Sequence, residues 1–311
     1  MPTTFWTGNA AEVAQVNTIT VTAVALNGTL TVTFNGKAIV YTCTALDTTS
    51  TAAAALQALI AASTAPPEFQ EVTFAVATNV ITCTSKVAGR PFTMTAVGAA
   101  GATMTHTTTT TSVGPSDVSL AANWLRSGVA SLPQNGDDVS LSDSSVPLLW
   151  NLGALAAVQF ASLKRYNSFT GTQIGLPINN PSGYREYRAT YFAFTGPPAG
   201  TLLVSIGYGP GDGVSVLEQY DAGAQATAWN VSGSPNCRIL NSSATSSYQI
   251  NGAIVQIAML PGETATCSGG VEVTNETIKL RLGLGFFCIP CGIDDPGGLF
   301  GPMRPVPDVR S

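Results

Sequence analysis

Residues 133–139 read PQNGDDV, and the neighbouring carboxylates of Asp137 and Asp138 are the first feature in this chain that could do chemistry. Two carboxylates can trade protons or hold a metal when both reach one point. Here Asn135-Gly136 is a turn signal, which places Asp137 at the exit of a turn and Asp138 at the start of the strand-like run DVSLS. Successive side chains on a strand point to opposite faces. Sharing a metal or proton would therefore need a bulge. The favoured reading is that both carboxylates shape the turn by accepting bonds from nearby groups.

The other chemically capable residues are few. Cys288 and Cys291 form a single C-x-x-C in FFCIPCG, with no second pair and no adjacent His to complete a zinc set. Pro290 and Gly292 oppose the helix that a redox pair would open. Cys43, Cys83, Cys237 and Cys267 are the remaining thiols. Cys43 and Cys83 lie inside strand-like runs and read as buried, free and hydrophobic. His106, the one histidine, stands in a Thr-rich stretch without a partner and takes no role. A glycan-cleaving site would need clustered carboxylates or a cation–carboxylate pair in a groove. Candidates are Asp212, Glu218 and Asp221, or Lys164 and Arg165 beside Arg185, Glu186 and Arg188. Solvated turn residues and a surface ion-pair ladder are the plainer readings of these two sets. A sugar-stacking platform would use Tyr184, Tyr187, Tyr191, Phe192 and Phe194, though some of YREYRATYFAF must face inward. No catalytic residue, metal ligand or cofactor site is assigned, and the chain is not expected to be an enzyme.

Composition narrows the classes further. Only 10% of the 311 residues are charged and the net charge is −5. There is no Lys/Arg run, so nucleic acid is not an expected partner. So little charge suggests a surface partly covered by other subunits. The start, MPTTFWTGNAAEVAQ, lacks the basic and apolar regions of a signal peptide. The longest apolar run, Ala52–Ala62, is too short to span a membrane. The expectation is a protein made in the cytoplasm and not exported by the general route, with no membrane partner.

The elements that would position these residues fall into a mainly β chain. Residues 1–98 read as a small α+β domain. Asn27-Gly28 and Asn35-Gly36 separate alternating runs and predict two hairpins. Leu56, Leu59 and Ile60 fall at helical spacing and predict a helix over about 48–64, capped by Asp47 or Thr48 and stopped by Pro66-Pro67. Residues 99–114 read as a Thr-rich, low-complexity linker or an extended edge. Residues 115–287 carry short apolar runs between turns, as in a β-solenoid or, alternatively, a β-sandwich. Trp124 and Leu125 are expected to plug its first coil. Residues 288–311 read as a Pro/Gly-rich arm, with Leu299, Phe300 and Met303 available for partner contact, as are Tyr187 and Tyr191.

The stretches NGKAIVYTCTALDTTSTAAAALQALIAAS, PEFQEVTFAVATNVITCTSKVAGRPFTMT and GPSDVSLAANWLRSG occur in that order, followed by SFTGTQIGLP and YREYRATYF. In that order they resemble structural proteins encoded by tailed phages and prophages, over roughly residues 5–195. The NW…G…P…GDDV pattern is similar to the opening of β-helical repeats in bacterial surface and phage proteins. The resemblance implies a virion component, with a small α+β domain joined to a β-solenoid. It carries no catalytic residue. It makes the expected partners other virion proteins of capsid or tail and further copies of this chain, a trimer being one arrangement. A host surface glycan is a further option. The role implied is a capsid decoration, head fibre or tail appendage, with a glycan-binding adhesin or polysaccharide-degrading β-helix enzyme as the alternative.

Overall fold

The computed structural model describes residues 1–175, 191–209, 216–232, 236–241, 243, 246–251, 255–258, 271–274, 278–282 and 285–288. The chain starts with a strand, β1 (Thr3–Trp6), and then leaves for a separate module. That module holds β2 (Val16–Ala23), β3 (Thr29–Phe34), β4 (Lys37–Thr42), helix α1 (Thr49–Ile60), β5 (Val72–Ala77), β6 (Val80–Ser85), β7 (Met94–Ala99) and β8 (Thr103–Thr110). Its strands form two antiparallel sheets, ordered β5-β6-β2-β8 and β4-β3-β7. Period-two alternation decides which side of each strand is buried. In β2, Asn17, Ile19 and Val21 go inward and Thr18 and Thr20 stay at the surface. Phe34 gathers Phe69, Phe74 and Phe92 at centroid distances of 5.1, 5.5 and 5.3 Å, and this cluster fills the space between the sheets.

Thr48 caps α1 and forms a reciprocal capping box with Thr51. The helix buries Ala52, Ala53, Leu56 and Ile60. Leu59, expected on the same stripe, is 44% exposed, and the two alanines let the helix sit close to the sheet in its place. Asn35-Gly36 makes the expected two-residue hairpin, with Phe34 paired to Lys37 and both turn residues at positive φ. Asn27-Gly28 also turns, but it makes no hairpin. Strand β2 pairs with β6 and β8, whereas β3 pairs with β4 and β7, so this turn carries the chain from one sheet to the other.

Two expected boundaries are corrected. Of the two readings of residues 99–114 the edge holds and the linker does not: residues 103–110 form β8, the edge strand beside β2, because Thr is as good a strand residue as it is a linker residue. Residues 1–98 are not one unit either. Strand β1 lies in the second region, so the module is an insertion whose two ends meet where Val13 bridges Val113.

The second region contains β9 (Trp124–Arg126), β10 (Val129–Ala130), β11 (Asp138–Leu141), β12 (Ser162–Tyr166), β13 (Gln173–Ile174), β14 (Phe192–Ala193), β15 (Leu202–Tyr208), β16 (Leu217–Gly223), β17 (Thr227–Ser232), β18 (Asn236–Asn241), β19 (Ser247–Asn251), β20 (Val255–Ala258), β21 (Val271–Thr274), β22 (Ile278–Leu282) and β23 (Gly285–Cys288). They build a nine-stranded sheet, β10-β9-β1-β11-β12-β15-β17-β19-β21, and a seven-stranded one, β13-β16-β18-β20-β22-β23 with β14 beside β16. From β15 to β22 the chain alternates strictly between the two sheets, and every neighbouring pair among these strands is parallel. Antiparallel pairs occur where β10 and β1 meet β9, and where β23 folds back on β22. One continuous core lies between the sheets and includes Trp6, Trp124, Leu163, Phe160, Phe194 and Trp229. The protein is thus mainly β, with a small α+β insertion near its start.

Candidate functional site

The PQNGDDV turn fastens the N-terminal strand. Asp137 is fully buried and takes a two-pronged ion pair from Arg126, Nε at 2.7 Å and NH2 at 3.0 Å. The hydroxyl of Thr4 donates at 2.8 Å and the Gln134 N–H at 2.9 Å. Burial pushes the Asp137 carboxyl up, but these donors outweigh it and hold the group below the usual carboxylate range. Asp138 faces elsewhere: its Oδ1 accepts from Ser162 on the next strand, and its N–H donates to the Pro2 carbonyl. The two carboxylates converge on nothing. They help to seat β1 between β9 and β11, Asp137 through its carboxylate to Thr4 and Arg126 and Asp138 through its backbone N–H to Pro2. Among the described residues, no group of three or more His, Cys, Asp or Glu side chains could hold a metal.

A second ionisable cluster lies inside the core. Arg165 on β12 and Glu218 on β16 are both fully buried, with NH2 to Oε1 at 2.6 Å. The Tyr220 hydroxyl donates to the same carboxylate. Burial alone would lower the Arg165 pKa, but Glu218 outweighs it and raises it. Burial drives the Tyr220 hydroxyl and the Cys237 thiol well above their ordinary values. The arginine thus remains charged and the phenol and thiol neutral, with no route to water. Such a set fixes how two sheets sit against each other. It offers nothing to a polymer in a surface groove.

The expected surface ladder of Lys164 and Arg165 is therefore corrected. Adjacent residues on a strand face opposite ways, so Arg165 goes inward while Lys164 stays outside, 5.1 Å from the Tyr208 ring centroid. Asp221 accepts from the N–H of Gly223 and shapes the end of β16. Asp212, Arg185, Glu186 and Arg188 lie outside the described residues. Two members of the aromatic set face inward, as the inward reading of YREYRATYFAF expects. Phe192 and Phe194 are core residues, Phe194 stacking on Phe160 at 5.6 Å and reaching Tyr220 and Trp229. Tyr191 is half-buried. Tyr184, Tyr187, Leu299, Phe300 and Met303 lie outside the described residues. Trp124 plugs the core against Trp6 at 4.9 Å, but Leu125 is 38% exposed, since it alternates to the outer face.

Cys43, Cys83 and Cys237 are buried free thiols. Burial raises Cys83 to about 12, too high for a nucleophile. Cys267 and Cys291 fall outside the described residues; Cys288 ends β23. His106 is exposed on the edge strand, opposite Ile19.

Sequence reasoning missed the residues that join module to sheets. Asn123 is fully buried; its Oδ1 accepts from Ala10 N–H at 2.7 Å, and its Nδ2 donates to the carbonyls of Gly114 and Asp117. Gly114 packs on Gly89 so closely that a Cβ there would lie 2.6 Å from the Gly89 Cα. Arg90 reaches from the module to the Trp150 ring, 6.0 Å from its centroid. The Asn before Trp124 was visible in NWLRSG, but nothing local says which distant backbone groups it ties. No protein-family model and no curated protein matches this chain.

Proposed function

We propose that this chain is a structural component of a tailed-phage particle, a capsid decoration, head fibre or tail appendage, working by subunit association rather than by catalysis. The observation that carries the reading is the strand order of the second region. Strands β15 to β22 alternate between two parallel sheets, each adding to the same edge as the strand two before it. We read this as a β-solenoid in which each coil gives one strand to each sheet. A stack of that kind buries side chains only against its neighbours and grows along one axis. Antiparallel pairs where β9 and β10 meet, and where β22 and β23 meet, suit the ends of such a stack, which otherwise offer open edges.

Three further features support it. The stretches quoted above, in their order, resemble tailed-phage structural proteins over roughly residues 5–195. The described ionisable side chains with buried partners tie strands together: Asp137 with Arg126, and Glu218 with Arg165. The inserted module stands on a short neck, which suits a scaffold that presents one domain from a rigid stem. In this reading other virion proteins and further copies of the chain are the partners.

Quantitative mass spectrometry of gradient-purified particles tests the proposal. It predicts this chain at a fixed copy number per particle, retained after a high-salt wash. Loss of the chain with the soluble fraction in every gradient would refute it.

A further inference from the structure

The outer face of the nine-stranded sheet carries a strip of groups that the core does not use. Register places Lys164, Ser205, Asn230 and Gln249 in one row across β12, β15, β17 and β19. Parallel neighbours lie about 4.8 Å apart, so the row is a regular ladder of hydroxyl and amide groups. Asn230 and Gln249 are exposed and Ser205 is half-exposed. None of these three side chains bonds to another described residue. At one end of the strip Tyr166 and Tyr208 meet edge to face at 5.0 Å, and Tyr208 is 47% exposed.

We infer that this strip binds an extended, neutral or weakly charged glycan. Side-chain amides and hydroxyls both donate and accept, as sugar hydroxyls do. A tyrosine ring offers an apolar face for the C–H side of a sugar and a hydroxyl for its rim. Lys164 and Tyr166 already hold the Tyr208 ring in place, which lowers the entropy cost of ordering it on binding. The strip carries little charge: Lys164 lies over the ring, register places Glu272 of β21 beside Gln249 at the other end, and Asp138, in the next row, is bonded to Ser162. A nucleic acid would find too few cations here. A protein partner would look for a buried aromatic or arginine anchor ringed by apolar side chains; among the described residues Leu203 is the large aliphatic in the adjoining row, and exposed Phe5 and Leu125 lie further along the sheet, beyond buried Ser140. The face is shallow, so recognition would run along a chain of sugars rather than enclose one. This inference stands apart from the virion reading and holds or fails without it.

The test uses the full-length protein on a printed array of neutral and weakly charged bacterial surface polysaccharides, and electrophoresis through gels cast with dextran, galactomannan or laminarin. Tyr208→Ala and the double variant Asn230→Ala/Gln249→Ala touch only the outer face and should melt like the parent. The expected result is retention by at least one polysaccharide, with affinity reduced about tenfold or more in each variant. No retention on any probe overturns the inference, as does retention that both variants keep in full. Sedimentation of the same proteins separates the remaining occupant: an oligomer that falls apart in Tyr208→Ala would make the strip a contact between copies and overturn it too.

Discussion

Arg165 and Glu218 meet at 2.6 Å between two sheets that share no strand, and neither side chain reaches water. A buried charge costs little only while its partner is present. Glu218→Gln should therefore cost about 3–5 kcal/mol, because it strands a buried guanidinium. The triple variant Arg165→Met/Glu218→Leu/Tyr220→Phe should recover most of that loss, since it removes every member of the network. Urea denaturation midpoints of the three proteins decide the matter. A single variant as stable as the parent would mean the pair does not join the sheets.

Asp137 gives a pH dependence. Its folded pKa lies below its unfolded value, so its contribution is present above the unfolded pKa of about 3.9 and is lost as pH falls through the folded one. Acidifying from pH 5 to pH 3 should lower the urea midpoint, and Asp137→Asn should flatten part of that fall. At neutral pH the same variant should be less stable by about 1–3 kcal/mol, because Arg126 and Thr4 lose a charged acceptor. Identical slopes in the two proteins would show that Asp137 takes no part in the acid response.

Gly207 sits at φ +75°, where an added Cβ would lie 1.8 Å from the Ser232 carbonyl oxygen. It makes the irregularity that carries β15 past β12 and sets Tyr208 opposite Tyr166. Gly207→Ala should cost more than about 2 kcal/mol, through strain and displacement together. Thermal melts measure this, and Gly36→Ala provides the contrast: its φ is +84° but nothing lies within 4 Å of its Cβ, so it should cost less.

The module's two ends meet at the Val13–Val113 bridge. Replacing residues 14–112 by a short Gly/Ser linker should leave the sheets folded, and residues 13–113 should fold alone. Circular dichroism and amide-exchange spectra of both pieces check this. A truncation of residues 1–100 would not isolate the module, because it takes β1 out of the nine-stranded sheet as well. Under the proposed virion role, loss of the module alone should reduce incorporation into particles more than substitutions on the sheets do.

Local patterns were legible in the sequence and long-range pairings were not. The capping threonine, the Asn35-Gly36 hairpin and the alternation of β2 and β3 depend on a few adjacent residues, and each is visible as such. Asn27-Gly28 carries the same signal, yet its flanking strands go to different sheets, because partner choice rests on residues some sixty positions on, in β6 and β7. Strand β8 was legible only as one of two options, because its run of threonines suits an edge strand and a linker equally. Strand β1 was hidden by distance: Thr4 meets Asp137 across 133 positions. The sequence set Lys164 and Arg165 side by side as one cationic pair, and only the burial of the strand separates an inward network from an outward strip.

Immunogold electron microscopy of particles from the source host, with antibody against residues 115–287, tests the central claim most directly. The account predicts regular gold on the particles, spread over heads for a decoration or head fibre, or at one pole for a tail appendage. Unlabelled particles, in a sample where the protein is abundant outside them, would contradict it.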